Sequence, residues 1–273
     1  MMKAKLKNAM PIHLLQFAKK LAYDAGKIAL AAQKKGISVS TKSSAIDLVT
    51  NIDKTCEEFI IKTIRAHFPD HSILSEESGL SEKEGEYKWI IDPVDGTTNL
   101  AHGLPLFAIS IAIVHKGKPI IGVVEIPGLN ETFWAQEGRG AHIGMKPIHV
   151  SKVGDLQTSL LATGFPYARE GRYQKNIELF DAFYRASQGV RRFGCAALDL
   201  CFVAAGRFDG FWEYGLQPWD VAAGKIILEE AGGVVTNMDG STFNPKLQNI
   251  LATNGLIHSD MLHIIKEHSG DRI

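Results

Sequence analysis

The sequence predicts a mixed α/β (α+β) fold for a chain of 273 residues. Two amphipathic helices open the chain, a closely spaced set of strands from Ala108 to Val150 reads as an antiparallel meander, and from Leu160 onward strands alternate with helices. The change of style near residue 150 divides the chain into an N-terminal α+β half, 1–150, and a C-terminal α/β half, 151–273. No Pro-, Ser- or charge-rich linker separates them, so one compact unit with its active site between the halves is expected.

The first helix follows from Leu14, Phe17, Ala18, Leu21, Ala25, Ile28, Ala29 and Ala32 at helical spacing, with Gly36 as its stop. The second has Asp53 as a capping candidate, a face of Cys56, Phe59, Ile60, Thr63, Ile64 and Phe68, and Pro69 beyond its end. Asp47 precedes it with no capping task and, taken alone, reads as a solvated loop residue. A short strand over 71–75 runs into Glu76 and Glu77, of which only one can face a given site from extended backbone. The charged, glycine-broken segment 81–88 reads as a surface loop.

An apolar strand at Trp89 then ends in Asp92-Pro93-Val94-Asp95-Gly96, followed by Thr97 and Thr98, which can open a helix. Pro93 stiffens the turn so that Asp92 and Asp95 can converge. Gly96 permits close backbone approach, and the free N–H groups of a helix start attract an oxyanion. Carboxylates beside an anion-binding backbone make sense with cations between them, and the hard, oxygen-preferring ion of that kind is Mg²⁺. The pattern points to metal-assisted chemistry on a phosphate, although Asp-Pro-x-Asp-Gly is also a good plain turn.

Strands are expected over 108–114 and 120–124 around a turn at 116–118, then over 132–135, 141–143 and 148–150. The second half reads as a strand at 160–163, a helix at 177–184, a strand at 190–193, and a small-residue helix opened by Gly194-Cys195-Ala196-Ala197 and closed by Gly206. A strand at 208–214, a helix at 221–230, strands at 234–236 and 250–252 and a last helix over 260–267 complete it. Glu76, Asp92, Asp95 and Asp220 all fall where a strand ends or a helix begins, and Asp220, taken alone, reads first as a cap of its own helix. Four such carboxylates at one point would raise each other's pKa values. With a phosphate of about −2 charge, two or three Mg²⁺ ions would balance them.

Thirty basic and thirty acidic residues cancel, which argues against nucleic acid or a membrane surface as the main partner. The three cysteines form no CxxC pair, as expected of a reducing cytoplasm rather than a disulfide or zinc scaffold. Lys3, Lys5 and Lys7 precede a mildly apolar stretch, but Pro11, His13, Gln16 and Lys19-Lys20 interrupt it, so no secretory signal is read. No run approaches transmembrane length, and a cytoplasmic protein is expected.

Five blocks in order then carry a family resemblance: Asp47-Leu48-Val49-Thr50 with Asp53; Glu76-Glu77-Ser78; Trp89 to Asn99; Gly194-Cys195-Ala196-Ala197; and Trp219-Asp220-Val221-Ala222-Ala223-Gly224 followed by Glu230-Ala231-Gly232-Gly233. Over nearly its whole length the chain resembles the inositol monophosphatase family of lithium-sensitive, Mg²⁺-dependent phosphatases. The resemblance implies a layered αβαβα sandwich and a homodimer. It implies a first Mg²⁺ on Glu76, Asp92, the Val94 carbonyl and Asp95, a second on Asp92, Asp95 and Asp220, and a third reached by Glu76 through water. Asp47 and Thr97 would position and activate the attacking water, and the N–H groups of Gly96 and Thr97 would cradle the phosphate. Asp95, Gly194, Cys195, Ala196, Glu213 and Asp220 would meet the substrate, whereas Arg191 would reach the substrate, the dimer interface or only a surface ion pair. The implied reaction is direct in-line hydrolysis of a small phosphomonoester, myo-inositol 1-phosphate, without a phosphoenzyme.

Departures from the family pattern are Cys195 in place of Ser or Thr, Glu125-Ile126 before Pro127, and Leu100 where Phe is frequent. Relatives within the fold hydrolyse fructose 1,6-bisphosphate, 3′-phosphoadenosine 5′-phosphate or histidinol phosphate. Thr97-Thr98-Asn99 and Glu213 favour inositol phosphate, and Thr98 stands where nucleotide-specific relatives usually have Lys. A regulatory binding protein with incidental phosphatase activity is the alternative of a different class.

Overall fold

The computed structural model describes residues 2–36, 38–41, 48–166 and 171–268. In chain order its first half comprises α1 (Met2–Lys35), β1 (Val39–Thr41), β2 (Leu48–Thr50), α2 (Asn51–His67), β3 (Ser72–Ser75), β4 (Gly79–Ser81), β5 (Tyr87–Asp95), α3 (Thr97–Ala101), β6 (Ala108–His115), β7 (Lys118–Ile126), β8 (Glu131–Gln136), β9 (Ala141–Ile143) and β10 (Lys146–Ile148). The second half adds β11 (Leu160–Thr163), α4 (Arg172–Ala186), β12 (Gly189–Arg191), α5 (Ala196–Ala204), β13 (Gly210–Tyr214), α6 (Pro218–Glu230), β14 (Val234–Thr236), β15 (Asn249–Thr253) and α7 (His258–His268).

Among the described residues the larger sheet runs β10-β9-β8-β7-β6-β5-β3-β4, antiparallel except where β3 meets β5. The smaller sheet runs β12-β11-β13-β15-β14, with β11 parallel to both its neighbours. Strand alternation sends Trp89 and Ile91 of β5 and Ile109, Ile111 and Ile113 of β6 to one face, where they bury Leu14, Ala18 and Leu21 of α1 and Ile52, Cys56 and Ile60 of α2. The opposite face, with Ala108, Ala112, Val124, Ile126 and Phe133, packs on α5 and α6, and Ala162, Phe211 and Ala252 of the smaller sheet close on those helices from beyond. The outer face of the smaller sheet places Leu161, Trp212 and Leu251 against Leu179 and Phe183 of α4 and Met261 and Ile265 of α7. The order is therefore helix, sheet, helix, sheet, helix: a layered αβαβα sandwich.

Each fully buried Leu, Ile or Phe contributes about 1.5–3 kcal/mol. All residues of α5 are buried, so stacking between the sheets, more than propensity, holds this short helix. No helix of the described residues is long and apolar enough to cross a membrane.

The largest departure from the sequence reading lies at Asp92 to Asp95. The segment is not a turn after the strand: β5 continues through Asp95, paired with β6. Asp92 pairs with Ser110 and Asp95 with Ala108, so β5 carries one extra residue there, a β-bulge. Pro93, lacking an N–H, is tolerated at such a bulge. In a regular strand, residues three apart face opposite sides, and the extra residue restores Asp92 and Asp95 to one side. Other shifts are smaller. Thr50, not Asp53, is the N-cap of α2, with Asp53 closing a capping box onto it. Helix α6 begins at Pro218 and α4 at Arg172, β10 spans Lys146–Ile148, and the segment 81–88, expected as a loop, holds the last residue of β4 and the first two of β5. Asp47 lies outside the described residues.

Candidate active site

Local geometry brings the carboxylates together from separate elements. The parallel register of β3 with β5 pairs Ser75 with Ile91, and the Glu76 N–H donates to the Ile91 carbonyl at 3.2 Å, which sets Glu76 beside Asp92. Ser110, the partner of Asp92 on β6, donates its hydroxyl to the Trp219 carbonyl at 3.3 Å and so ties the start of α6, with Asp220, to the same place. A cavity of about 340 Å³ opens there, lined by Glu76, Asp92, Val94, Asp95, Gly96, Thr97, Gly194, Cys195, Ala196, Glu213 and Asp220. A wider hollow of about 610 Å³ between the end of α4 and the start of α7 holds no comparable convergence of acids.

Each aspartate is held by a backbone N–H. Val94 donates to Asp92 Oδ1 at 3.0 Å, Ala197 to Asp95 Oδ2 at 2.6 Å, and Gln217 to Asp220 Oδ2 at 2.7 Å. One oxygen of each is thereby fixed, and the other becomes the candidate ligand atom. Gln217, not Asp220, is the N-cap of α6; Asp220 closes the capping box onto it and lines the cavity, so the helix-start and site readings of this residue are compatible. Burial, followed by the charges of Glu76, Asp95 and Asp220, drives the Asp92 carboxyl well above the usual carboxylate range. Burial also pushes Asp95 up to about 7, opposed by the hydrogen bond from Ala197. Asp220 is raised by burial and by Asp95.

The Asp92 carboxyl is within hydrogen-bonding contact of Glu76 and of Asp220. Yet among the described residues no three His, Cys, Asp or Glu side chains converge into a finished ligand cluster. The pairwise contacts decide the chemistry, because buried carboxyls this close require either shared protons or cations between them. The donors are all oxygen, without imidazole or thiolate among the four acids and the Val94 carbonyl, so the residues fit a hard divalent cation.

Across the cavity floor, Thr97 Oγ1 donates to Asp53 Oδ1 at 2.8 Å, with the Val94 carbonyl 3.1 Å away. Asp53 Oδ2 accepts from the Thr50 N–H at 2.9 Å and from the Thr50 hydroxyl. Gly96 adopts φ +89°, and a Cβ there would meet the Leu106 carbonyl at 3.0 Å and Cys195 Cβ at 3.3 Å, so only glycine fits comfortably. Cys195 is buried and its thiol contacts the Asp95 carboxyl, at the position where the family pattern has Ser or Thr.

Glu213 is buried on β13, and its carboxyl is raised by burial and by Asp220, opposed by Arg192. It lies directly against Gly164, where an added Cβ would come within 2.1 Å of Oε2. Arg191 does not line the cavity. It ends the edge strand β12, folds back over Gly189 and donates to the Val190 carbonyl at 3.3 Å. Arg192, beyond the strand end, lines the cavity instead, with its guanidinium against Gly194.

Sequence reasoning also passed over Gly164, Glu57 and Asp199. Glu57 follows Asp53 by one helical turn on the buried stripe of α2, and an acid on an apolar stripe was the available signal. Asp199 sits fully buried on α5 with neither carboxyl oxygen hydrogen-bonded among the described residues, and its pKa is raised by burial and then by Glu213. Its place in a run of small apolar residues was the corresponding signal.

Comparison with known proteins gives a family match over residues 11–269 to the inositol monophosphatase family. The chain is 42% identical over 262 residues to the chloroplastic phosphatase IMPL1 of Arabidopsis thaliana, covering 93% of this chain and 70% of the relative. It is 40% identical over 262 residues to the Nus factor SuhB of Vibrio cholerae, covering 95% of this chain and 98% of the relative. Among solved structures, an inositol monophosphatase from Anabaena superposes with a TM-score of 0.83 at 42% identity, covering 93% of this chain and 96% of that one. The match along the chain, these identities and the shared fold together place it: the chain belongs to the inositol monophosphatase family.

Proposed function

We propose that the chain is a Mg²⁺-dependent phosphomonoesterase that converts myo-inositol 1-phosphate to myo-inositol and phosphate. The observation that carries this reading is the set of mutually repelling carboxyls of Glu76, Asp92, Asp95 and Asp220, the three aspartates each held by a backbone N–H, around one cavity that also holds the Thr97 hydroxyl. Glu76, Asp92, the Val94 carbonyl, Asp95 and Asp220 would hold two to three ions. Bound Mg²⁺ supplies Lewis-acid polarisation of the phosphate, a lowered pKa for water and compensation of the leaving alkoxide.

The chain's own residues do the rest. Because the Thr97 hydroxyl donates to Asp53, its oxygen keeps a lone pair that can accept a hydrogen bond from an attacking water and so orient it. Asp47 is proposed to take up the proton that this water gives up as it attacks. The water oxygen bonds to phosphorus as the ester P–O bond breaks, and the leaving alkoxide takes a proton from solvent. The N–H groups of Gly96 and Thr97 face the phosphate. Glu213, whose burial favours the protonated form, can both donate to and accept from polyol hydroxyls beside Gly194, Cys195 and Ala196.

The reading is tested by phosphate release with Mg²⁺ from myo-inositol 1-phosphate, fructose 1,6-bisphosphate, 3′-phosphoadenosine 5′-phosphate and histidinol phosphate. The highest kcat/KM is expected on the inositol ester, and folded protein inactive on every inositol phosphate overturns it. Relatives named Nus factor, such as the one from Vibrio cholerae, motivate a second reading as a binding protein. A silent Asp92→Asn variant that still complements a deletion would favour that role.

A further inference from the structure

Helix α2 carries two buried carboxylates, Asp53 and Glu57, one turn apart on the stripe that continues as Ile60 and Ile64. Neither contributes to the apolar contact that the stripe makes elsewhere. Asp53 holds the Thr97 hydroxyl, as described above. Glu57, only 7% exposed, directs Oε1 to the backbone N–H groups of Glu77 at 3.2 Å and Ser78 at 3.1 Å. Those residues immediately follow Glu76, whose own N–H is fixed on Ile91. The backbone is therefore pinned on both sides of Glu76, by β5 before it and by Glu57 after it.

We propose that Glu57 is a positioning residue for Glu76: it clamps the turn at Glu77 and Ser78 so that the Glu76 carboxyl faces Asp92 ready for a divalent cation. The clamp lies behind the site and does not line the cavity. The three-residue turn Glu76-Glu77-Ser78 joins β3 to β4, and the closing pair of Ser75 with Gly79 fixes its ends while its tip can still take more than one conformation. A buried carboxylate accepting two N–H groups selects one of them. One rigid helix thus sets both the hydroxyl that orients water and the acid that enters the cation site, through Asp53 and Glu57, which stand one helical turn apart. Residues that orient metal ligands in this way typically alter metal affinity by about 10–100-fold when removed.

The inference rests on the cation site proposed above, and its test reads metal binding directly as well as activity. Calorimetric titration of metal-free protein with Mg²⁺, or with Mn²⁺ where heats are small, is compared for wild type, Glu57→Ala, Glu57→Asp, Glu57→Gln and the exposed neighbour Glu58→Ala. Glu57→Ala is expected to weaken binding by about 10-fold or more, equivalent to about 1.4 kcal/mol. Glu57→Asp, which keeps the charge but withdraws it by one methylene, is expected to weaken binding in the same direction and guards against a misfolded alanine variant. Glu57→Gln, whose amide oxygen still accepts both N–H groups, should recover most of the affinity, and Glu58→Ala should match wild type. In turnover, the Mg²⁺ concentration for half-maximal rate should rise by the same factor while the substrate KM at saturating Mg²⁺ holds. Folded Glu57→Asp and Glu57→Ala proteins that bind the ion as wild type does overturn the proposal. Wild type that binds neither ion overturns this role and the cation site together. Wild type that binds the ion but releases no phosphate removes only the substrate reading, and the calorimetric comparison still decides the role of Glu57.

Discussion

Removing a carboxylate from the site should stabilise the metal-free protein even as it destroys catalysis. Asp95→Asn is the cleanest case, because asparagine keeps the volume and an oxygen that accepts from the Ala197 N–H. Burial pushes the Asp95 carboxyl up to about 7 from the ordinary 3.8. A group whose folded-state pKa is raised stabilises the native state fully below its unfolded pKa, and that contribution disappears as pH rises through the folded value. The roughly 3-unit gap, at about 1.4 kcal/mol per unit, sets an upper bound of about 4 kcal/mol on the cost of ionised Asp95 at pH 8. Allowing for imperfect replacement, Asp95→Asn should gain about 2–4 kcal/mol there, or roughly 5–15 °C in Tm for a chain of this size. The gain should shrink through the window between 7 and 3.8 and vanish below it. Thermal melts in EDTA across that range, repeated with Mg²⁺, make the assay. Saturating Mg²⁺ at about 100 times Kd should return about 2.7 kcal/mol to the wild type and much less to the variant, closing most or all of the gap between them. An Asp95→Asn protein less stable than wild type in EDTA at alkaline pH would refute the reasoning.

Other perturbations address the remaining walls. Thr97→Val, which removes the hydroxyl held by Asp53, should lower kcat by about 100-fold or more with little change in Mg²⁺ affinity. Arg192→Gln should raise the KM for anionic substrate by up to about 5-fold, as expected of an exposed charge, and Arg191→Gln should not; steady-state kinetics on both separates them. Gly164→Ala drives a methyl to within 2.1 Å of Glu213 Oε2, so it should raise KM and cost about 1–3 kcal/mol of stability by denaturant melt.

What the sequence made legible was local. β-rich runs around the turn at Lys116-Gly117-Lys118 identified β6 and β7, helical spacing identified α1 and α2, and Glu76, Asp95 and Asp220 stood out at element junctions because strand ends and helix starts are visible in a few residues, whereas Asp92, read as a strand end, lies inside β5. The bulge at Asp92 to Asp95 was not legible, since an extra residue exists only relative to the partner strand β6. Which of Arg191 and Arg192 faces the cavity depends on where edge strand β12 stops, a boundary that pattern alone leaves uncertain by a residue or two. Glu57 carried a signal as an acid on the apolar stripe of α2, but its partners did not, because the turn at Glu77 and Ser78 meets it only in the folded chain. Asp53 was visible as a cap candidate, but its hold on Thr97 spans 44 residues of chain and needs the whole sandwich.

The most direct measurement of the central claim is anomalous scattering from crystals soaked in Mn²⁺ with phosphate. The account predicts two or three ions bounded by Glu76, Asp92, the Val94 carbonyl, Asp95 and Asp220, with the phosphate between them and the Gly96 and Thr97 N–H groups. Crystals that show no ion among these carboxyls, or an ion held only elsewhere, would contradict it.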